Sequence, residues 1–229
     1  MTVTFPTTHA TWLTEQIRTA PAEARAHVMK RYFEPLCAYA RVSSPRLLGE
    51  PAELVNDFLA TRVADDAYLA RWTASGLPLR RWLANGLVIH ARNAALASRR
   101  RNDLLARTSL DEAEQAAAMR ASEHDTAALL ALERAWAIRI VTEAHEQIRT
   151  ELQAEGRGAW WELFRLHSVH GMRYAQAGPI VGIPVSSASS AHRQVVDRLR
   201  SALVAILERD GIRPDEIEHE LASLQELLG

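Results

Sequence analysis

The sequence predicts an all-α protein: two small helical domains joined by a flexible linker, the second domain carrying a helix-turn-helix. Three observations predict it. Apolar residues recur at spacings of three and four through nearly every segment, and no run alternates apolar and polar over strand length. A stretch from about 102 to 125, rich in Ala, Glu, Asp, Ser and Gln, holds few large apolar side chains and divides the chain. Beyond it, two helical patterns flank the tight turn Gly182-Ile183-Pro184.

The elements follow in order. Residues 11–19 place Trp12, Leu13 and Ile17 on one helical face. A second helix opens near Pro21, where the fixed φ of proline suits a first turn, and carries Val28, Tyr32, Phe33, Leu36 and Tyr39 inward. Ser43, Ser44 and Pro45 interrupt it. Glu50-Pro51 opens a third helix through Leu54, Val55, Phe58 and Leu59. Residues 73–78 (TASGLP) hold too much Gly and Pro for a helix and read as a loop, after which a long helix runs from 79 to about 101. Past the linker, residues 129–154 repeat Leu132, Trp136, Ile140, Ala144, Ile148 and Leu152, and Gly156 and Gly158 end that helix. A short helix follows through Trp160, Leu163, Phe164 and Leu166, then helices over 174–181 and from 185 to about 208. An acidic helix, 214–228, closes the chain and is read as solvated, the alternative being that it folds back over the basic helix as a mask. The domain limits are 8–104, a linker at 105–125, 126–210, and the acidic tail 211–229.

Composition excludes several classes. With 229 residues, 48% hydrophobic and 24% charged, the chain is a globular protein of one or two domains. No stretch approaches the roughly 18 apolar residues that a membrane span requires, and the opening residues lack the basic-then-apolar order of a secretory leader. Cytoplasmic residence is therefore expected. The single cysteine, Cys37, offers neither an internal disulfide nor a thiolate metal knuckle, and reads as a buried small hydrophobe. Net charge is −1, which argues against coating nucleic acid by bulk electrostatics. Its distribution is more telling: residues 80–107 carry seven arginines against Asp103, a net of +6, whereas residues 108–165 carry a net of −5. Such segregation suits one face for a polyanion and others kept off it.

The order of several segments carries a resemblance. RYFEPLCAYAR, EPAELVNDFLATRV, LPLRRWL, RRRND, SLDEAE and RYAQAGPIVGIPVSSASSAHRQVVDRLR occur in the sequence seen in bacterial RNA polymerase sigma factors of the extracytoplasmic-function class. The resemblance covers almost the whole chain and rests on order and spacing rather than on one motif. It implies a non-enzymatic subunit without cofactor or metal, monomeric when free. Its implied partners are core RNA polymerase and promoter DNA, with room for an anti-sigma or other regulatory protein.

The resemblance also assigns roles. The helix bearing Glu53, Leu54, Asn56, Asp57 and Phe58 would dock on the clamp helices of the polymerase largest subunit. Positions four apart stack, so Leu54 and Phe58 share one face and Glu53 and Asp57 another; the plain alternative makes the first pair core and the second a solvated edge. Asn56 stands where the family usually has glutamine. The basic helix after the TASGLP loop resembles the element that opens minus-ten promoter DNA. There Arg80, Arg81, Arg92, Arg99, Arg100 and Arg101 would neutralise phosphates, Trp82 would carry an unstacked base, Asn85 and Asn93 would read base edges, and His90 would touch phosphate or sugar. The alternative places Trp82, Leu83 and Leu87 in a core. In the last motif Ser186, Ser187, Ser189, Ser190 and His192 occupy the first turns of the recognition helix, where the family usually has lysines and arginines, and Arg193 is the first full charge. Hydroxyls bond bases or phosphates but release few counterions.

Other patterns carry less. Ser186 to Ser190 with His192 lack the strand-turn-helix elbow of a nucleophilic serine. His167 and His170 lack a third ligand in spacing, and no glycine-rich phosphate loop is present. Two further readings stay open: a sigma-derived regulator or adaptor without autonomous promoter reading, and an ordinary helix-turn-helix repressor, which would be a stable homodimer on a palindromic site.

Overall fold

The computed structural model describes residues 11–43, 49–102 and 126–228, with the backbone alone at 98–102. Every regular element among them is helical. Helix α1 is Trp12–Thr19, with Thr11 as its cap: the Thr14 amide donates to Thr11 Oγ1 at 3.4 Å. Helix α2, Pro21–Val42, starts on the expected proline and stays continuous through Pro35, burying Val28, Tyr32, Leu36 and Tyr39. Helix α3, Pro51–Phe58, continues past the expected end as a wider π-helical turn, Leu59–Val63. A helix the periodicity does not single out, α4 (Asp66–Thr73), is capped by Asp65, whose carboxylate accepts from the Ala67 amide at 3.0 Å.

The Gly/Pro loop is a pinned turn. Trp72 Nε1 donates to the Leu77 carbonyl at 2.8 Å and Ser75 Oγ to the Trp72 carbonyl at 2.7 Å, while Gly76 takes a φ of 69°. The turn launches α5, Leu79–Asn102. The expected linker, 105–125, lies outside the described residues. Helix α6, Thr126–Ala154, buries Leu132, Trp136, Ile140, Ala144, Ile148 and Leu152, one residue per turn along a single stripe. Helix α7, Gly158–Phe164, runs into a second π-helical turn, Arg165–Val169. Helices α8 (Tyr174–Val181) and α9 (Val185–Arg209) meet at a turn in which Gly182 is left-handed and the Ile183 amide donates to the Gly178 carbonyl at 2.9 Å. Helix α10 is Ile217–Leu228.

Both sides of the expected linker contribute to one core. Leu13, Tyr32, Phe58 and Leu83 from the first half pack in the same cluster as Trp136, Ile140, Ile206 and Leu224 from the second. The most extensive helix contact of the described residues is α2 along α6. A smaller satellite, Leu163, Ala177, Ile183, Ala188 and Ala191, holds the α7–α8–α9 corner. The acidic terminal helix is not simply solvated: α10 buries Ile217 and Leu224 against α6 and α9. Cys37 is buried, as its small apolar character leads one to expect. No described helix is long and apolar enough to cross a membrane.

Candidate nucleic-acid interface

Helix α5 is basic along its sequence, but its first arginine points inward. Arg80 is 8% exposed. Its Nε lies 2.7 Å from Glu133 Oε2 on α6, a close ion pair without hydrogen-bond alignment. Its Nη2 donates to both carboxylate oxygens of Glu220 on α10, at 3.0 and 3.2 Å. The guanidinium also lies over the Trp136 ring, 4.0 Å from the centroid. Burial opposes the charge of Arg80, yet Glu133 and Glu220 outweigh it and hold its pKa above the ordinary arginine value. In this conformation Arg80 is therefore engaged inside the protein, whereas the contact expected with phosphate requires its guanidinium to be free.

The rest of α5 divides between core and surface. Arg81 and Asn93 are exposed, and Arg92 is half-buried. Trp82 is half-buried and packs against the core, tilted on Tyr68 with centroids 5.6 Å apart, its indole N–H buried without an acceptor. Asn85 is 5% exposed and offers no edge to a base here. His90 is half-buried, with Nε2 2.8 Å from Asp57 Oδ2 on α3. The side chains of Arg99, Arg100 and Arg101 lie outside the described residues.

On α3 the two faces separate as helical stacking requires. Leu54 and Phe58 are buried, the packing alternative, and present no ridge to a partner in this conformation. Glu53, Asn56 and Asp57 are exposed. On α9, Ser186, Ser187, Ser189, Ser190 and Arg193 are all exposed, and Ser187 Oγ donates back to the Pro184 carbonyl at 3.0 Å. The opening of α9 is thus a neutral hydroxyl surface, flanked by the exposed apolar side chains of Ile180 and Val185.

His192 turns away from that surface. Its Nε2 lies 2.8 Å from Ser168 Oγ, its ring stacks on Phe164 at 5.7 Å, and the edge of His167 meets it at 4.8 Å. Burial, aided by His167, holds its pKa below the ordinary histidine value. The rings of Phe164, His167 and Tyr174 pack around His192 at the α7–α9 corner. Among the described residues, no group of three or more His, Cys, Asp or Glu is placed to hold a metal ion.

Sequence reasoning missed the residues that close the interface. Glu133 stands one helical turn before Trp136 on α6, at the edge of the buried stripe to which Trp136 belongs, but nothing local marks either as a partner of Arg80. Glu220 lies 140 residues from Arg80. No family model, no curated protein and no solved structure matches the chain.

Proposed function

We propose that this chain is a dissociable promoter-specificity subunit of bacterial RNA polymerase, similar to sigma factors of the extracytoplasmic-function class. The observation that carries the reading is the pair α8 and α9: a short helix, a three-residue turn with left-handed Gly182, and a long helix whose first turns are exposed. It stands at the point in the chain where the ordered motifs call for a helix-turn-helix. On this reading α5 contacts the separated minus-ten strand, α9 touches upstream DNA, and the exposed edge of α3 (Glu53, Asn56 and Asp57) meets core polymerase. The work is binding, not covalent chemistry: core polymerase supplies catalysis, and two weak contacts on one chain add through effective concentration. The near-neutral total charge suits a subunit that holds DNA only when polymerase presents it.

Transcription with purified core polymerase tests the reading. Core binding together with a promoter-dependent transcript is the expected result; neither from any candidate promoter overturns it.

A second reading is a sigma-derived regulator or adaptor that binds polymerase or another partner without reading promoters. Two observations favour it specifically: the buried Arg80 and the uncharged hydroxyl surface at the start of α9. Co-purification with polymerase, without promoter-specific initiation, would select it over the first.

A further inference from the structure

We infer that the terminal helix α10 is an intramolecular mask: Glu220 occupies the place on Arg80 that a nucleic-acid phosphate would take. The inference rests on the proposed function, since it concerns regulation of the same basic helix.

The geometry of the contact supports it. Arg80 is the second residue of α5, directly after the turn that launches the helix, where the resemblance calls for strand contact. A guanidinium fork is suited to an anionic group with two oxygens, and both oxygens of Glu220 lie within hydrogen-bond reach of one nitrogen, Nη2. Glu133 supplies the second negative charge from α6. Trp136 closes the face beneath. The Glu220 carboxylate carries the single negative charge and the two oxygens that a nucleic-acid phosphodiester would present, and competes with it for Arg80.

The seating of α10 indicates a mask that can leave. The helix has 12 residues, a length that is marginal alone in water. Its buried anchors are Ile217 and Leu224. A groove of about 580 Å³ remains beside it between α6, α9 and α10, lined by Val141, Leu199, Leu203, Leu221 and Leu228. The Arg200–Glu218 ion pair at 2.6 Å adds little, because its side chains are 56% and 75% exposed and screened by salt. Helix α10 therefore covers the α6–α9 face without filling it, and Glu220 is its charged tie to α5.

The test is fluorescence anisotropy of a fluorescein-labelled single-stranded DNA oligonucleotide of mixed sequence, titrated with the full chain over a range of salt. Four proteins are compared: the natural chain, Glu220→Gln, Arg80→Gln and the double variant. Glu220→Gln keeps the shape of the side chain and removes its charge. It is expected to tighten binding about three- to tenfold and to steepen the log affinity against log salt slope by about 0.7, the contribution of one added phosphate contact on a single strand. The gain is expected to vanish in the double variant. Amide hydrogen exchange in α10 should quicken in Glu220→Gln. If the natural chain binds in a salt-dependent way and Glu220→Gln binds no better, the mask is wrong while the proposed function stands. If the gain persists in the double variant, it reflects overall charge, and the mask is again wrong. If no variant binds salt-dependently, the mask is wrong, and the proposed function is decided separately by transcription with purified core polymerase.

Discussion

His27 Nε2 lies 2.9 Å from Asp210 Oδ1, although 183 residues separate them in sequence. Asp210 closes the C-terminal end of α9, and its side chain is fully buried. The same carboxylate sits 3.1 Å from Arg31 Nε and accepts from Trp136 Nε1 at 3.3 Å. Arg31 in turn donates from Nη1 to Glu143 Oε2 at 2.6 Å. One buried acid therefore ties α2, α6 and α9 together across the boundary expected between two domains. Burial opposes the charge of Arg31, but Asp210 and Glu143 more than restore it and hold its pKa above the ordinary value.

Removing that acid leaves a buried cation with one partner fewer. Asp210→Ala is expected to lower unfolding stability by about 3 kcal/mol, at the low end for a broken buried pair because Glu143 still holds Arg31. Asp210→Asn keeps an acceptor for Trp136 and should cost less. Urea denaturation of both variants checks this; equal losses would show that the neutral acceptor kept by asparagine contributes nothing, the charge of Asp210 accounting for the whole.

The shared core makes a second expectation. Leu132 is fully buried on the stripe of α6 that the common core takes in. Leu132→Ala should cost about 2–5 kcal/mol, the usual range for such a cavity. Because α2 packs along α6, the loss should appear in one transition that tryptophan fluorescence and far-ultraviolet circular dichroism report together. A fragment ending at residue 102 should not fold alone. Two separated transitions, or a folded fragment, would mean that the halves are independent domains.

Much of this was legible in the sequence, and what was not has a physical cause. Helical stripes announce themselves by spacing, so α2, α5, α6 and α9 fall where periodicity puts them, and the Gly182 turn is marked by its composition. The π-helical turns at Leu59–Val63 and Arg165–Val169 leave no comparable trace, since one extra residue per turn barely alters the apolar pattern. For Leu54 and Phe58, stacking identified the right face, but a core face and a docking face look alike in a sequence. Arg80 is the hardest case. Its neighbours in sequence are those of a surface arginine, and its burial depends on Glu133 and Glu220, far along the chain. The seating of α10 was partly readable: Ile217, Leu221 and Leu224 fall at helical spacing behind the acidic residues.

The α8–α9 turn should tolerate no side chain at Gly178. A Cβ placed there would stand 2.7 Å from the Ile183 carbonyl oxygen, a backbone atom that cannot move without opening the turn. Gly178→Ala is expected to cost about 1–3 kcal/mol, the range for overpacking, and to disturb α8 and α9 together. Gly158, at the start of α7, meets nothing closer than Gln153 Cγ at 3.7 Å. Gly158→Ala should be neutral or stabilise by up to about 1 kcal/mol, since alanine has less backbone freedom to lose. The two denaturation midpoints should move in opposite directions or differ clearly; parallel losses would remove close approach at Gly178 as the cause.

Two histidines give the corner beside that turn its own pH response. His145 meets the edges of Trp161 and Phe164, with centroids 5.5 and 6.0 Å away, and burial holds its pKa below the ordinary value. His192 is lowered by burial and then by His167. For a base, a lowered folded-state pKa means that the unfolded chain takes up protons first as pH falls. Stability is then complete above the unfolded value of about 6.5 and declines as pH drops below it, until the folded state is protonated as well. Melting temperature should fall from neutral pH toward acid more steeply in the natural chain than in the double variant His145→Gln, His192→Gln. The carboxylates common to both proteins cancel in that difference. A difference that stays flat from pH 7.5 to the acid limit of folding would show that neither ring loses anything by being charged where it sits.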